Sequence, residues 1–126
     1  MRTETGKPYL CLHPELFFNI SHSGEWIACA LGNVPVGIDI QYHREIKLEQ
    51  TARKICTPDE WKTFMQVGTE KGKKDFLFQI WTKKESYLKF TGDGIRRELC
   101  EISYEGCRFY RLVMPEGYSG MVCVEN

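Results

Sequence analysis

The chain has 126 residues, in which 17 lysines and arginines balance 17 aspartates and glutamates, and 13% of it is aromatic. That length fits one domain over residues 1–126 with a modest stability margin. The even charge excludes a global field that would gather nucleic acid or an anionic membrane, and no apolar run approaches the roughly twenty residues a bilayer span needs.

In chain order, residues 16–41 carry short apolar runs broken by polar turns, which predicts three strands in a meander over residues 17–20, 26–31 and 34–40. Residues 46–56 read as a short helix. Thr57-Pro58-Asp59-Glu60 opens the next, because threonine caps, proline fits the first turn and carboxylates favour the positive helix end. The basic stretch Lys71-Gly-Lys-Lys74 reads as a solvated loop or helix start. Helical spacing of Leu77, Ile80, Trp81 and Leu88 predicts a helix over residues 74–90, ended by a glycine in Thr91-Gly92-Asp93-Gly94. Residues 99–104, 108–114 and 120–124 read as strands. The expected fold class is α+β: an antiparallel sheet with inserted helices packed on one face. Cys11, Cys29, Cys56, Cys100, Cys107 and Cys123 are irregularly spaced, contain no Cys-x-x-Cys and follow no signal peptide, so reduced, mostly buried thiols in a cytoplasmic protein are expected.

Two segments carry candidate chemistry. Strand alternation puts Asp39 and Gln41 on one face of residues 36–41, with Gly37 leaving room for close approach. Aspartate is disfavoured inside strands, so either that face uses its charge or it is an exposed face with an incidental acid. The helical period puts Trp81, Glu85 and Lys89 on one stripe; this is either an ion pair on a solvated face or a carboxylate for a metal beside an ammonium for a phosphate.

Together with Phe18-Asn19-Ile20-Ser21-His22-Ser23-Gly24 and Gly6-Lys7-Pro8, these segments resemble, in order and approximate spacing, the Sfp-type 4′-phosphopantetheinyl transferases. That family's pattern has a Gly-Lys-Pro segment, a Phe-Asn-x-Ser-His-Ser-Gly strand end, a Gly-x-Asp-x-Glu strand and a Trp-Ser/Thr-x-Lys-Glu-Ser/Ala-x-x-Lys helix. The resemblance implies transfer of the phosphopantetheine arm of coenzyme A to a serine of an apo acyl or peptidyl carrier protein, releasing 3′,5′-ADP. It implies Mg²⁺ held by Asp39 and Glu85, a hard cation suited to carboxylates and substrate phosphate. Gln41 stands where the family usually has a second acid; its amide carbonyl still coordinates or orients water but adds no charge, so weaker metal binding is expected.

By the same resemblance Ser21 and His22 contact the 3′-phosphate, Lys7 lies near the nucleotide end and Lys89 reaches the pyrophosphate. Glu85, Glu60 or a metal-bound water serves as general base. Arg53, Lys54 and Lys62 meet an acidic carrier helix, or else form an ordinary solvated face. Enzymes of this type usually pair two half-domains, and this chain matches the second. Three readings stay open: homo-oligomers in which a neighbour replaces the missing half-domain, a truncated or inactive chain that binds coenzyme A without transfer, and a binding module on a former enzyme fold.

Overall fold

The structure is a computed structural model that describes residues 15–93 and 98–126. Strands β1 (Phe17–Ser23) and β2 (Trp26–Gly32) form an antiparallel hairpin in which Ser23 faces Trp26. The turn between them needs Gly24, whose φ of +58° suits a residue without a Cβ.

The third strand, β3 (Val36–Tyr42), does not continue a meander. Its ladder partner is β5 (Tyr118–Glu125), which also pairs with β4 (Cys107–Arg111), giving an antiparallel sheet of order β3-β5-β4. The hairpin joins β3 through side chains instead. Asn19 Oδ1 accepts from the Ile38 N–H at 2.9 Å, Ser21 Oγ from Ile40 at 3.0 Å and Ser23 Oγ from Tyr42 at 2.9 Å. Every second residue of β1 thus supplies the acceptor that a neighbouring strand's carbonyl would otherwise supply, which satisfies the buried edge of β3. The outer row of the hairpin is uncovered: Ile27 is 76% exposed and Leu31 65%, with Ile20 and Cys29 exposed beside them.

Helices α1 (Leu48–Ile55), α2 (Pro58–Gln66) and α3 (Glu70–Thr91) occupy the middle of the chain. The second begins as its sequence predicts. Thr57 Oγ1 accepts from the Glu60 N–H at 3.3 Å while Glu60 Oε1 accepts from the Thr57 N–H at 2.8 Å, with Pro58 in the first turn. The third is longer than predicted, because Thr69 caps it by accepting from the Gly72 N–H at 3.0 Å; the basic stretch 71–74 is therefore its first turn. It ends at Gly92 with φ +79°.

Helix α3 lies against β3 at Gly37, where a Cβ would strike the Ser86 carbonyl and lie 2.5 Å from the Phe90 nitrogen. Two apolar clusters flank it, one of Ala52, Ile55, Cys56, Phe64 and Leu77, the other of Tyr87, Leu88, Ile102 and Cys123. The strand expected over residues 99–104 is absent: Leu99–Glu101 is a single 3₁₀ turn. The Leu99 carbonyl accepts from Lys84 Nζ at 2.7 Å, so it is spent on a side chain from α3 and not on a ladder.

The α+β class and the helices against the sheet agree with the expectation. The thiols depart from it, since of the five described free cysteines only Cys56 and Cys123 are buried. Among the described residues no helix is long and apolar enough to cross a membrane.

Candidate active site

Close packing of α3 on Gly37 brings the helix stripe Trp81, Glu85 and Lys89 over the β3 face that carries Asp39 and Gln41. Gln41 Nε2 donates to Asp39 Oδ2 at 2.9 Å, so the two strand residues do project together. Lys89 Nζ donates to the Ile38 carbonyl at 2.9 Å and to the Ile20 carbonyl at 3.4 Å, and lies 3.5 Å from Asp39 Oδ1. One ammonium therefore spans the seam between β1 and β3 and reaches the acid on it.

Both carboxylates pay for their location. Asp39 is only 4% exposed, and burial pushes it up to about 6; the Glu85 charge adds to the rise, while the Gln41 amide and Lys89 oppose it. Burial also holds Glu85 above the usual carboxylate range, with Lys89 and the Trp81 indole pulling the other way. Two neighbouring acids held above their ordinary range are a site that a hard cation would relieve. Among the described residues no group of three histidine, cysteine or acidic side chains surrounds such a point. The Gln41 amide nitrogen is turned to Asp39, and its Oε1 lies 3.5 Å from Arg44 Nη1.

The other predicted residues fall elsewhere. Ser21 is buried, and its Oγ is spent on the Ile40 N–H, so it builds the seam; His22, the next residue, is exposed on the opposite face of β1. Glu60 is tied to Lys84 Nζ at 2.7 Å as well as to the α2 cap, and no contact among the described residues joins it to Asp39, Gln41 or Glu85. Lys7 lies outside the described residues, as does the whole Gly6-Lys7-Pro8 segment. Arg53 and Lys54 line a cleft of about 470 Å³ together with Glu85, Leu88 and Leu99, which puts basic side chains on the same opening as the helix acid. Lys62 is exposed on α2, outside that lining.

Sequence reasoning missed Arg44 and Lys84. The guanidinium of Arg44 lies over the Trp81 ring, 4.7 Å from its centroid. Lys84 is fully buried between α1, α2 and residue 99. An Arg two residues past the strand was the available signal for the first; for the second it was the Trp-Ser/Thr-x-Lys-Glu pattern, which holds a lysine at 84 and leaves 83 open.

A family model described as the 4′-phosphopantetheinyl transferase superfamily matches residues 35–113. The chain is 36% identical over 100 residues to a 4′-phosphopantetheinyl transferase of Bacillus subtilis, covering 79% of this chain and 44% of that protein. It is 39% identical over 97 residues to the 4′-phosphopantetheinyl transferase HetI of Nostoc sp., covering 73% and 40%. The chain thus spans less than half the length of these relatives. Among solved structures, a holo-(acyl-carrier-protein) synthase from Bacillus anthracis in complex with CoA (3′,5′-ADP) superposes with a TM-score of 0.60 at 18% identity, over 73% of this chain and 95% of that one. A holo-[acyl-carrier-protein] synthase of Thermotoga maritima does so with a TM-score of 0.58 at 15% identity, over 73% and 62%. At such identities these two matches establish the fold.

Proposed function

The chain belongs to the 4′-phosphopantetheinyl transferase superfamily, and on that premise we propose that it moves the 4′-phosphopantetheine group of coenzyme A onto a serine of an apo carrier protein, with Mg²⁺, releasing 3′,5′-ADP. The observation that carries this reading is the meeting of Asp39 from β3 with Glu85 and Lys89 from α3. Asp39 and Glu85 would hold the magnesium ion, which when bound neutralises charge on the diphosphate oxygens. Lys89 offers its ammonium to the same oxygens from the β1–β3 seam. The serine oxygen forms a new bond to the phosphorus of the arm, the bond from that phosphorus to the 3′,5′-ADP oxygen breaks, and the serine proton passes to a carboxylate.

Glu85 is the better placed acceptor of that proton, because it lines the open cleft, whereas Glu60 is tied to Lys84 Nζ at 2.7 Å. His22, exposed at the end of β1, and Lys7 are the residues we assign to the nucleotide end. Arg53, Lys54 and Lys62 are assigned to the carrier protein, with the first two at the mouth of the Glu85 cleft. The five described cysteines, none of them in a disulfide, fit a reducing, cytoplasmic setting.

The test is incubation with an apo carrier protein, coenzyme A and Mg²⁺, followed by mass analysis of the carrier serine. Transfer is expected, with losses of roughly 10²-fold or more in Asp39→Ala and Glu85→Ala. Coenzyme binding without transfer would replace this reading by a binding module.

The exposed row Ile20, Ile27, Cys29 and Leu31 is an apolar face of the kind that marks an association site. We assign it to a second copy of the chain. The parent is expected to sediment as an oligomer and Ile27→Lys/Leu31→Lys as a monomer, with transfer falling on dilution of the parent. A monomeric, fully active parent would refute the assignment.

A further inference from the structure

Arg44 follows β3 by two residues and sits on a stack of rings that is built before any ligand arrives. His43 stacks on Phe78 with centroids 4.6 Å apart and planes 15° from parallel, and Phe78 stacks on Trp81 at 6.1 Å and 7°. His43 is in turn fixed to β5, its Nε2 lying 2.7 Å from Ser119 Oγ, and Phe78 is fully buried. The Arg44 guanidinium lies over two of these rings, 4.7 Å from the Trp81 centroid and 5.8 Å from that of Phe78. A guanidinium held by its face on aromatic rings keeps its N–H edge for a planar or tetrahedral oxyanion, and loses little rotamer freedom when it binds one.

The edge of that guanidinium is turned to the candidate site. Nη1 lies 3.5 Å from Gln41 Oε1, and the same Gln41 donates to Asp39. An acid at position 41 would pair with Arg44 and cancel it. An amide leaves the charge in place, and among the described residues Arg44 forms no ion pair. The residue that weakens the metal side of the site therefore strengthens its anion side.

Resting on the function proposed above, we propose that Arg44, kept uncancelled by Gln41 and held on Trp81, binds the diphosphate of coenzyme A directly, so that this chain grips that group in part without a divalent ion. The diphosphate is chosen over the 3′-phosphate because Arg44 reaches the Asp39, Gln41 and Glu85 group through Gln41 and Trp81, whereas His22 faces away on β1.

The experiment is calorimetric titration of the parent, Arg44→Ala, Arg44→Lys and Gln41→Glu with coenzyme A and with dephospho-coenzyme A, in chelator and in Mg²⁺, at two salt concentrations. In chelator, Arg44→Ala is expected to weaken both ligands by about tenfold and to flatten the salt dependence, with Arg44→Lys in between. Gln41→Glu is expected to weaken binding several-fold in chelator and to raise the affinity for Mg²⁺ in a separate metal titration. An unchanged dissociation constant and salt dependence in Arg44→Ala overturns the proposal while leaving the transferase reading intact. A loss for coenzyme A that vanishes with dephospho-coenzyme A also overturns it, since Arg44 would then serve the 3′-phosphate. No coenzyme binding by the parent in either condition overturns the transferase reading and this proposal together.

Discussion

Two lysines on α3, five residues apart, make the same kind of contact with opposite outcomes. Lys84 Nζ donates to the carbonyls of Ile55 and Leu99 and pairs with Glu60 at 2.7 Å; Lys89 Nζ donates to the carbonyls of Ile38 and Ile20 and lies 3.5 Å from Asp39. At the first, the lysine is the buried partner, fully enclosed, and the ion pair is tight. At the second, the acid is buried and the lysine side chain is 31% exposed, so the pair is loose and the carboxyl is pushed up to about 6. A closed pair fastens elements together. An open pair leaves charge for something else to satisfy, and that is the arrangement found where the chemistry is proposed.

The largest effect is expected from breaking the closed pair. Lys84→Met leaves Glu60 beside two buried carbonyls that have lost their donor, and this should cost about 3–5 kcal/mol in urea unfolding. Adding Glu60→Gln removes the stranded charge and should recover part of the loss. If Lys89→Met costs as much as Lys84→Met, the contrast between the two pairs is wrong.

The open pair should show itself in pH. Asp39 ionises near 3.8 in the unfolded chain and near 6 in the folded one, so between those values the folded state holds more protons. The Asp39 contribution to metal-free stability should therefore fall as pH rises from about 4 to about 6, by about 3 kcal/mol. Asp39→Asn should remove this contribution and leave the one from Glu85, so the variant should gain stability relative to the parent at pH 7 but not at pH 4. Mg²⁺ should stabilise the parent at pH 7 and leave Asp39→Asn unmoved. An Asp39→Asn variant with the same pH dependence as the parent would contradict the burial of that carboxyl.

This contrast also separates what the sequence discloses from what it conceals. Gly37, Asp39 and Gln41 share a strand face and Trp81, Glu85 and Lys89 a helix stripe because periods of two and 3.6 are local properties, readable without knowing the partner. The cap of α2 and the glycine ending α3 are local in the same way. Ladder partners are not local. Nothing in residues 34–40 says that β3 pairs with a strand some eighty residues later, or that the alternating polar side chains of β1 replace a ladder. The turn at Leu99–Glu101 reads as a strand because its fate depends on an amine from Lys84. The distinction between Lys84 and Lys89, and the placing of Arg44 on Trp81, exist only once α3 has docked.

The smallest effect bears on Ser21 and His22, adjacent residues for which the family resemblance implies one role and the structure shows two environments. Ser21 Oγ accepts from the N–H of Ile40, a residue with no exposed surface, so Ser21→Ala leaves a buried donor unpaired and should cost about 1–2 kcal/mol. Its coenzyme affinity, measured where the variant is fully folded, should match the parent. His22 is exposed on the opposite face of β1, so His22→Ala should leave stability within about 0.5 kcal/mol of the parent while weakening the coenzyme several-fold. The comparison works because the two readouts move apart: a seam residue acts on unfolding, a ligand contact on binding. Equal losses of affinity in both variants would mean that Ser21 donates its hydroxyl hydrogen to the ligand while accepting from Ile40. The side chains that knit β1 to β3 would then belong to the coenzyme site itself.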